Sequence, residues 1–460
     1  MSHRRKCVYR VTLPIFLLFA LAIVSPAQTF TTLVNFAGTN GAGPVASLVQ
    51  GTNGDLYGTT NYGGAPNFGT VFAMTLQGQL KSMVTFGESN GANPGASLMV
   101  YPNGTLYGTT THGGANKYGT VFRMTPSGTL TTLYSFGTGG GGEPIAGLVE
   151  AFNGMLYGTA SAFGPNRDGS IFEITPSGTL TTVHDFAGAD GAYPAAAPVQ
   201  APDGLLYGSA SAGGAYGSSG VIYTLSLSGE FTTLYNFDYA LGGGSGPQGA
   251  LVVGTDGNLY GTTKYGGAND YGTVFQITPT GALTTLHTFD YTDGSLPPDA
   301  LVQGTDGNFY GTTWQGGTNG YGTIFQITPT GTLTTLYDFD QAVGGSPECG
   351  LMQATDGNFY GTASGGGLYN YGTVFRLSMG LGPFVKMLPS FSKAGASVTV
   401  LGTDLTGATA VTFNGMPAAI TGSEPTALTV TVPAGATSGT VQVTTPNGTL
   451  SSFPPFLVRP

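Results

Sequence analysis

The side chains able to do chemistry are few and scattered. Four histidines occur, His3, His112, His184 and His287, and none of their spacings matches a zinc site. His184 and His287 stand where Tyr134, Tyr235 and Tyr337 stand in other copies of a repeated segment, so they read as strand side chains. Asp256-Gly257-Asn258, Asp306-Gly307-Asn308 and Asp356-Gly357-Asn358 match part of a calcium loop but lack its spaced acidic ligands and terminal Glu; a tight turn accounts for them better. There is no Gly-x-Ser-x-Gly elbow and no phosphate-loop lysine motif. Cys349 is the one cysteine outside the apolar N-terminal segment that holds Cys7, so it has no intrachain partner and reads as a small buried residue. Paired carboxylates of the glycosidase kind depend on a separation that sequence does not display. No catalytic residue, metal or cofactor is expected on this reading.

What remains is a set of aromatic and charged residues at two recurring loop positions. One position carries Tyr62, His112, Phe163, Lys264 with Tyr265, and Trp314, with only small residues in the fourth and seventh copies. The other carries Glu88, Glu143, Asp190, Asp238 with Tyr239, Asp290 with Tyr291, and Glu348. Aromatic faces beside carboxylates and amides suit a sugar or peptide ligand. Drift in solvent-exposed loops is the alternative.

The elements that hold these residues repeat. A Tyr-Gly pair recurs at Tyr57, Tyr107, Tyr157, Tyr207, Tyr260, Tyr310 and Tyr360, in steps of 50, 50, 50, 53, 50 and 50. A phenylalanine (Phe36, Phe86, Phe136, Phe186, Phe237, Phe289, Phe339) and a proline (Pro44, Pro94, Pro144, Pro194, Pro247, Pro297, Pro347) recur with it. Each copy holds four short strand-like runs, A to D, which in the second copy are residues 96–100, 105–110, 119–125 and 129–136. Asn103-Gly104 joins A to B, and Pro126-Ser127-Gly128 joins C to D, both tight-turn signals. No apolar rhythm of 3.6 residues competes. Four antiparallel strands in about fifty residues is the unit of a propeller blade. The array opens at Phe30 on a D strand with no A, B or C before it, and closes on the C strand of the seventh copy with no D after it. The expected fold is all-β: a seven-bladed β-propeller over 28–381, closed by its N-terminal strand.

Strand parity puts the A–B and C–D turns on one face and the B–C and D–A loops on the other. From the A-strand position (Leu48 and its equivalents) to the tyrosine is nine residues in every copy, and from the C-strand aromatic (Phe72 and its equivalents) to the next phenylalanine is fourteen in all six complete cases. Both length changes fall on the loop face: one residue in the B–C loop of the fourth copy and two in the D–A loop before Pro247.

The termini differ from the array. Arg4, Arg5, Lys6 and Arg10 precede an apolar run over 11–24, followed by Ser25-Pro26-Ala27. This reads as a signal peptide over 1–27, and its fourteen apolar residues fall short of the about 20 that span a bilayer. Cleavage would leave 9 basic against 23 acidic residues, a formal −14, which disfavours nucleic acid and anionic lipid as partners. Residues 382–460 show alternating runs at 397–401, 410–413, 427–432 and 440–444 separated by Gly, Pro and Asn-Gly turns, the pattern of one small Ig-like β-sandwich.

The copies of Asp/Asn-Gly-x-Leu/Phe-Tyr-Gly-Thr followed by Gly-Thr-Val/Ile-Phe resemble the GloVer tandem repeats of bacterial choice-of-anchor exported proteins, over about residues 30 to 380. The tail, with Val411-Thr412-Phe413-Asn414-Gly415 and Val432-Pro433-Ala434-Gly435, is similar to an IPT/TIG immunoglobulin-like domain. The first resemblance implies export to the periplasm, cell surface or medium and brings no catalytic residues with it. The expected function is non-enzymatic binding or adhesion, with an extracellular glycan or protein held on the loop face and no membrane span after signal removal. An enzyme acting on polysaccharide and a structural spacer of the envelope are the alternatives.

Overall fold

A computed structural model describes residues 28–137, 141–162 and 164–459. The segment 1–27, expected to be a signal peptide, and Phe163 lie outside the described residues. The fold is all-β, with one short 3-10 turn at Tyr239–Leu241 among the described residues. Seven four-stranded antiparallel sheets follow the seven copies of the repeat. In the second copy the strands are Met99–Val100, Leu106–Thr110, Thr120–Met124 and Leu130–Ser135. The A strand is shorter than expected, because the backbone before it bonds outside its own sheet: the Ala96 carbonyl accepts the Thr59 hydroxyl of the preceding copy at 3.2 Å. The seventh sheet takes its fourth strand from the other end of the chain. Thr29–Asn35 pairs antiparallel with Thr373–Ser378, from Thr29 opposite Ser378 to Asn35 opposite Thr373. The C–D pairing of every sheet carries a register shift, the local irregularity that adds twist.

The sheets bury both faces, so the B strands read as unbroken buried runs and not as alternations. The apolar cores lie between neighbouring sheets. Tyr57, Val71 and Phe86 pack with Leu98, Leu106 and Phe122 of the next copy, and so on around to Met352, Tyr360 and Val374, which pack with Leu48, Leu56 and Phe72. A Cβ on Gly58 would sit 2.6 Å from both Leu48 and the Phe72 ring, so the second residue of the Tyr-Gly pair must lack one. A hydroxyl at the end of each B strand donates to a carbonyl of the next copy: Thr59 to Ala96, Thr109 to Ala146, Thr159 to Ala196, Ser209 to Gly249, Thr262 to Asp299 and Thr312 to Cys349. Thr362 completes the cycle onto Pro44 and Ala46. Glutamine side chains repeat the pattern nearer the A–B turns: Gln200 accepts from Phe152 N–H, Gln303 from Thr255, Gln353 from Thr305, and Gln50 from Thr355. The arrangement is propeller-like.

The C-terminal residues form two further four-stranded sheets. One runs Val385–Leu388, Ser397–Gly402, Ala427–Thr431, Ile420–Glu424; the other runs Met416–Ala418, Ala410–Phe413, Val441–Thr445, Gly448–Ser451. They share one core around Val400, Phe413, Leu428, Val443 and Phe456. Four of these strands match the expected runs to within one residue at either end. Of the others, Val385–Leu388 borders Pro389 and Met416–Ala418 carries Pro417, and both are too short for an alternation test.

This unit rests on the A–B turns of several copies. Thr426 donates to the Thr52 carbonyl (3.0 Å) and Thr399 to that of Pro102 (3.1 Å); Thr403 shares a hydrogen bond with Thr355 (2.9 Å). The Arg459 guanidinium stacks 4.6 Å from the centre of the Phe152 ring and donates to the Phe152 carbonyl. Lys386 is buried where the unit meets the seventh copy, donating to the Gln353 carbonyl; burial pushes its amine down to about 8, against the field of Asp356.

Two predictions follow from this packing. Deleting residues 31–36 should abolish cooperative melting or lower its midpoint by about 10 °C or more, whereas deleting an equal length of surface loop should not; equal melting of the two deletions would refute the closing role of the first strand. Because the folded state holds the Lys386 amine below its ordinary range, the fold carries the full penalty below pH 8 and sheds it as pH rises toward about 10.5. The stability difference between Lys386→Met and the native chain should therefore shrink across that window, as read by urea unfolding at successive pH values.

Candidate functional site

The loop face does not gather its expected residues at one point. Tyr62 and His112 line a groove of about 380 Å³ with Asn61, Asn93 and Ile145, across the first three copies. Lys264, Tyr265 and Trp314 form a second group, the Lys264 amine lying 5.4 Å from the Trp314 ring centre and 5.8 Å from that of Tyr265. Most of the acidic side chains are engaged by neighbouring groups of the protein. Glu88 pairs with exposed Lys117 at 3.0 Å. Asp190 accepts from His184 (3.0 Å) and from the Ala187 N–H (2.8 Å). Asp238 accepts from the Ala240 N–H at 2.9 Å and caps the 3-10 turn. Asp290 accepts from the Thr292 hydroxyl and the Thr292 and Asp293 N–H groups, bonds that hold its carboxyl below the usual range. Glu143 acts through its backbone, its carbonyl taking the Ser161 hydroxyl at 2.8 Å. Glu348 differs: it is exposed and takes the Ser364 hydroxyl at 2.7 Å.

His184 lies flat on Phe231, ring centres 3.8 Å apart, and His287 pairs with Asp293 at 2.7 Å; both are held in their strands. The Asp-Gly-Asn turns close on themselves. Asp256 accepts from Asn258 and from the Tyr260 hydroxyl at 2.8 Å, and Asp306 and Asp356 do the same with Tyr310 and Tyr360. The repeated tyrosine thus has its ring in an inter-sheet core and its hydroxyl on the turn. Among the described residues no three His, Cys, Asp or Glu side chains come together as metal ligands.

A cavity of about 440 Å³ is lined by the segments that follow the repeated proline in all seven copies. Most of its lining is small and apolar, with Asp299 and Glu348 as its acids. Asp299 takes the Gly350 N–H at 2.9 Å and the Ser47 hydroxyl at 3.3 Å, so its carboxylate ties the sixth, seventh and first copies; burial raises it above the usual carboxylate range. Cys349, next to it, is buried, contacts Thr362 at 3.0 Å, and has its thiol pushed up to about 12 by burial, as an inert core thiol would.

The sequence reading missed part of the loop face. Of the large apolar and aromatic side chains that stay exposed, all but Met416 lie in B–C or D–A loops. The fourth and seventh copies, expected to carry only small residues in the B–C loop, present Tyr216 there, and Leu368, Tyr369 and Tyr371. They stand beyond the Gly-Gly pair, further along the loop than the position compared across copies. The three extra residues of the 53-residue step also have a structural result. They build the 3-10 turn and a shallow groove of about 450 Å³ lined by Tyr216, Asp238, Tyr239, Tyr265 and Asp270.

The Gloeobacter/Verrucomicrobia repeat model matches residues 18–218, 137–305 and 196–426. The chain belongs to that repeat family. No curated protein matches this family member. Among solved structures it resembles one described as the extracellular domain of a hybrid two-component system of B. thetaiotaomicron, at 13% identity and TM-score 0.51, over 90% of this chain and 52% of that one. The repeat protein therefore spans about half the length of that structure. It also resembles a fungal alcohol oxidase of the AA5 family, solved with copper, at 13% identity and TM-score 0.50, over 94% and 99% of the two chains. At such identity the likeness is one of fold. No helix among the described residues is long and apolar enough to cross a membrane.

Because Asp299 is held above its unfolded range, the native chain is penalised as pH rises through that group's folded titration. Asp299→Asn keeps an acceptor for the Gly350 N–H and removes the buried charge. It should raise the melting midpoint at pH 7 by a few degrees, roughly 2–4 °C, with the gain vanishing near pH 4. A lower midpoint at pH 7 would show that the ionised form is the one the ring requires.

Proposed function

We propose that the repeat array is a seven-bladed β-propeller closed by its N-terminal strand, followed by an immunoglobulin-like sandwich of IPT/TIG type, in an exported protein that binds a ligand on its loop face without transforming it. The cyclic hydrogen bonds from Thr59 through Thr362, and the sharing of a sheet between residues 29–35 and 352–378, support the ring. Two sheets around one core support the sandwich. The basic, apolar and small-residue succession over 1–27 supports export.

One observation carries the binding reading. The exposed aromatic residues concentrate on the face opposite the A–B turns, and the C-terminal unit rests on those turns. Exposed rings carried on the loops of a rigid scaffold suit an interaction surface. The engagement of Asp190 and Asp290 by their own loops favours binding over acid–base chemistry.

The mature protein should bind one or more members of a glycan array or a panel of extracellular proteins. A variant carrying Tyr62→Ser, Tyr239→Ser, Tyr291→Ser and Tyr369→Ser should lose roughly tenfold or more in affinity with unchanged melting. Absence of any binding, with and without calcium, would favour a spacer. Turnover of a polysaccharide that Glu88→Gln, Glu143→Gln, Asp190→Asn or Asp290→Asn abolishes would replace the reading with an enzymatic one.

A further inference from the structure

We propose that Lys264, Trp314 and Glu348 form a subsite for a neutral saccharide beside the central cavity. This rests on the binding reading above and gives it a place and a ligand class.

The three residues come from consecutive copies. Lys264, Trp314 and Ser364 occupy one position of the fifth, sixth and seventh B–C loops, and Ser364 holds Glu348 by its hydroxyl. The same position carries Asn61, Thr111, Ser161 and Ser211 in the first four copies. A flat ring between a cation and a carboxylate is therefore assembled on one side of the array only. Trp314 is the single tryptophan of the chain.

Lys264 is the informative member. Its side chain is half-buried, and among the described residues no hydrogen-bond acceptor and no carboxylate within ion-pair distance meets its amine. Burial lowers the amine from its ordinary range, and the field of Glu348 opposes that shift. The rings of Tyr265 and Trp314 stabilise the charge, but they fill none of its three N–H donors. Those donors are free to meet the hydroxyls of a ligand lying against the rings.

The ligand class follows from charge and shape. Lys264 and Glu348 offer a donor and an acceptor of opposite sign, so together they demand no net charge of what lies between them. The acidic mature chain disfavours a polyanion. A pyranose ring presents C–H groups to an aromatic face and hydroxyls that both donate and accept, which matches the set.

Because Trp314 is alone, its fluorescence reports this subsite directly. Neutral oligosaccharides (gluco-, manno-, xylo- and galacto-series) titrated into the mature protein should shift its emission saturably, with calorimetry giving the same affinity. Lys264→Met and Glu348→Gln should each weaken binding roughly tenfold, and Trp314→Phe less than Trp314→Ala, all with native melting. An unmoved emission across the panel, affinity unchanged in Lys264→Met and Glu348→Gln, or preference for uronate oligosaccharides would overturn the proposal. If emission stays unmoved while the four-tyrosine variant still loses another ligand, the subsite fails and the loop-face reading stands; if the native protein binds nothing, both fail.

Discussion

The first strand of the array cannot be satisfied by anything near it in sequence. Residues 29–35 find their ladder partners only at 373–378, and the last three-stranded sheet finds its fourth strand only there. An unpaired edge on either side would leave rows of N–H and C=O groups open to water or to other chains. Everything else in the array depends on that junction, because the apolar cores lie between sheets. Leu56 and Phe72 are buried against Met352 and Tyr360, so the first copy owes half its core to the seventh. The hydroxyl-to-carbonyl relay and the glutamine bonds run the same course, and each closes on the first copy. A structure made this way is stabilised by completion more than by any one repeat.

Completion also divides the molecule into a fixed and a free side. On the turn side, Tyr260, Tyr310 and Tyr360 bind the turn acids, Gln353 and Gln50 bridge copies, and the C-terminal unit sits on Thr52, Pro102 and Thr355. A residue inserted there would break a bond to a neighbour. On the loop side the added residues fold into a 3-10 turn at Tyr239–Leu241 above the Phe237–Phe275 contact, and the bond from the Gly246 N–H to the Ser219 carbonyl, which recurs between the loops of other neighbouring copies, is kept. The constancy of nine and fourteen residues on one side and the 53-residue step on the other are consequences of that division.

Legibility in the sequence tracks the same physics. The repeat markers, the four runs per copy and the unpaired terminal D strand could be read, because Tyr, Gly and Phe are held at fixed offsets by close packing, as at Gly58 against Phe72. The shortness of the A strands could not, since the backbone bends at Ala96 and its equivalents and bonds there to another sheet. Candidate loop residues were found where they fell at an aligned position, such as Lys264 and Trp314. Tyr216 and Tyr369 escaped because they stand deeper in loops whose shape depends on left-handed glycines such as Gly213 and Gly366. Nor could sequence separate Glu348, which lines the cavity and is held by Ser364 of another loop, from Asp190 and Asp290, whose carboxylates are held by their own loops.

In a chain with only 8% charged residues, the buried or half-buried charges are the ones that need a reason. Asp299 has one: three copies meet on its carboxylate. Lys386 has one: it donates into the surface where the C-terminal unit meets the seventh copy. Lys264 is less deeply placed than either and has no such partner among the described residues, and it differs from them in standing at the loop face between two rings. Its donors, the neighbouring Trp314 face and the Glu348 carboxylate together define the kind of molecule the proposed subsite would take.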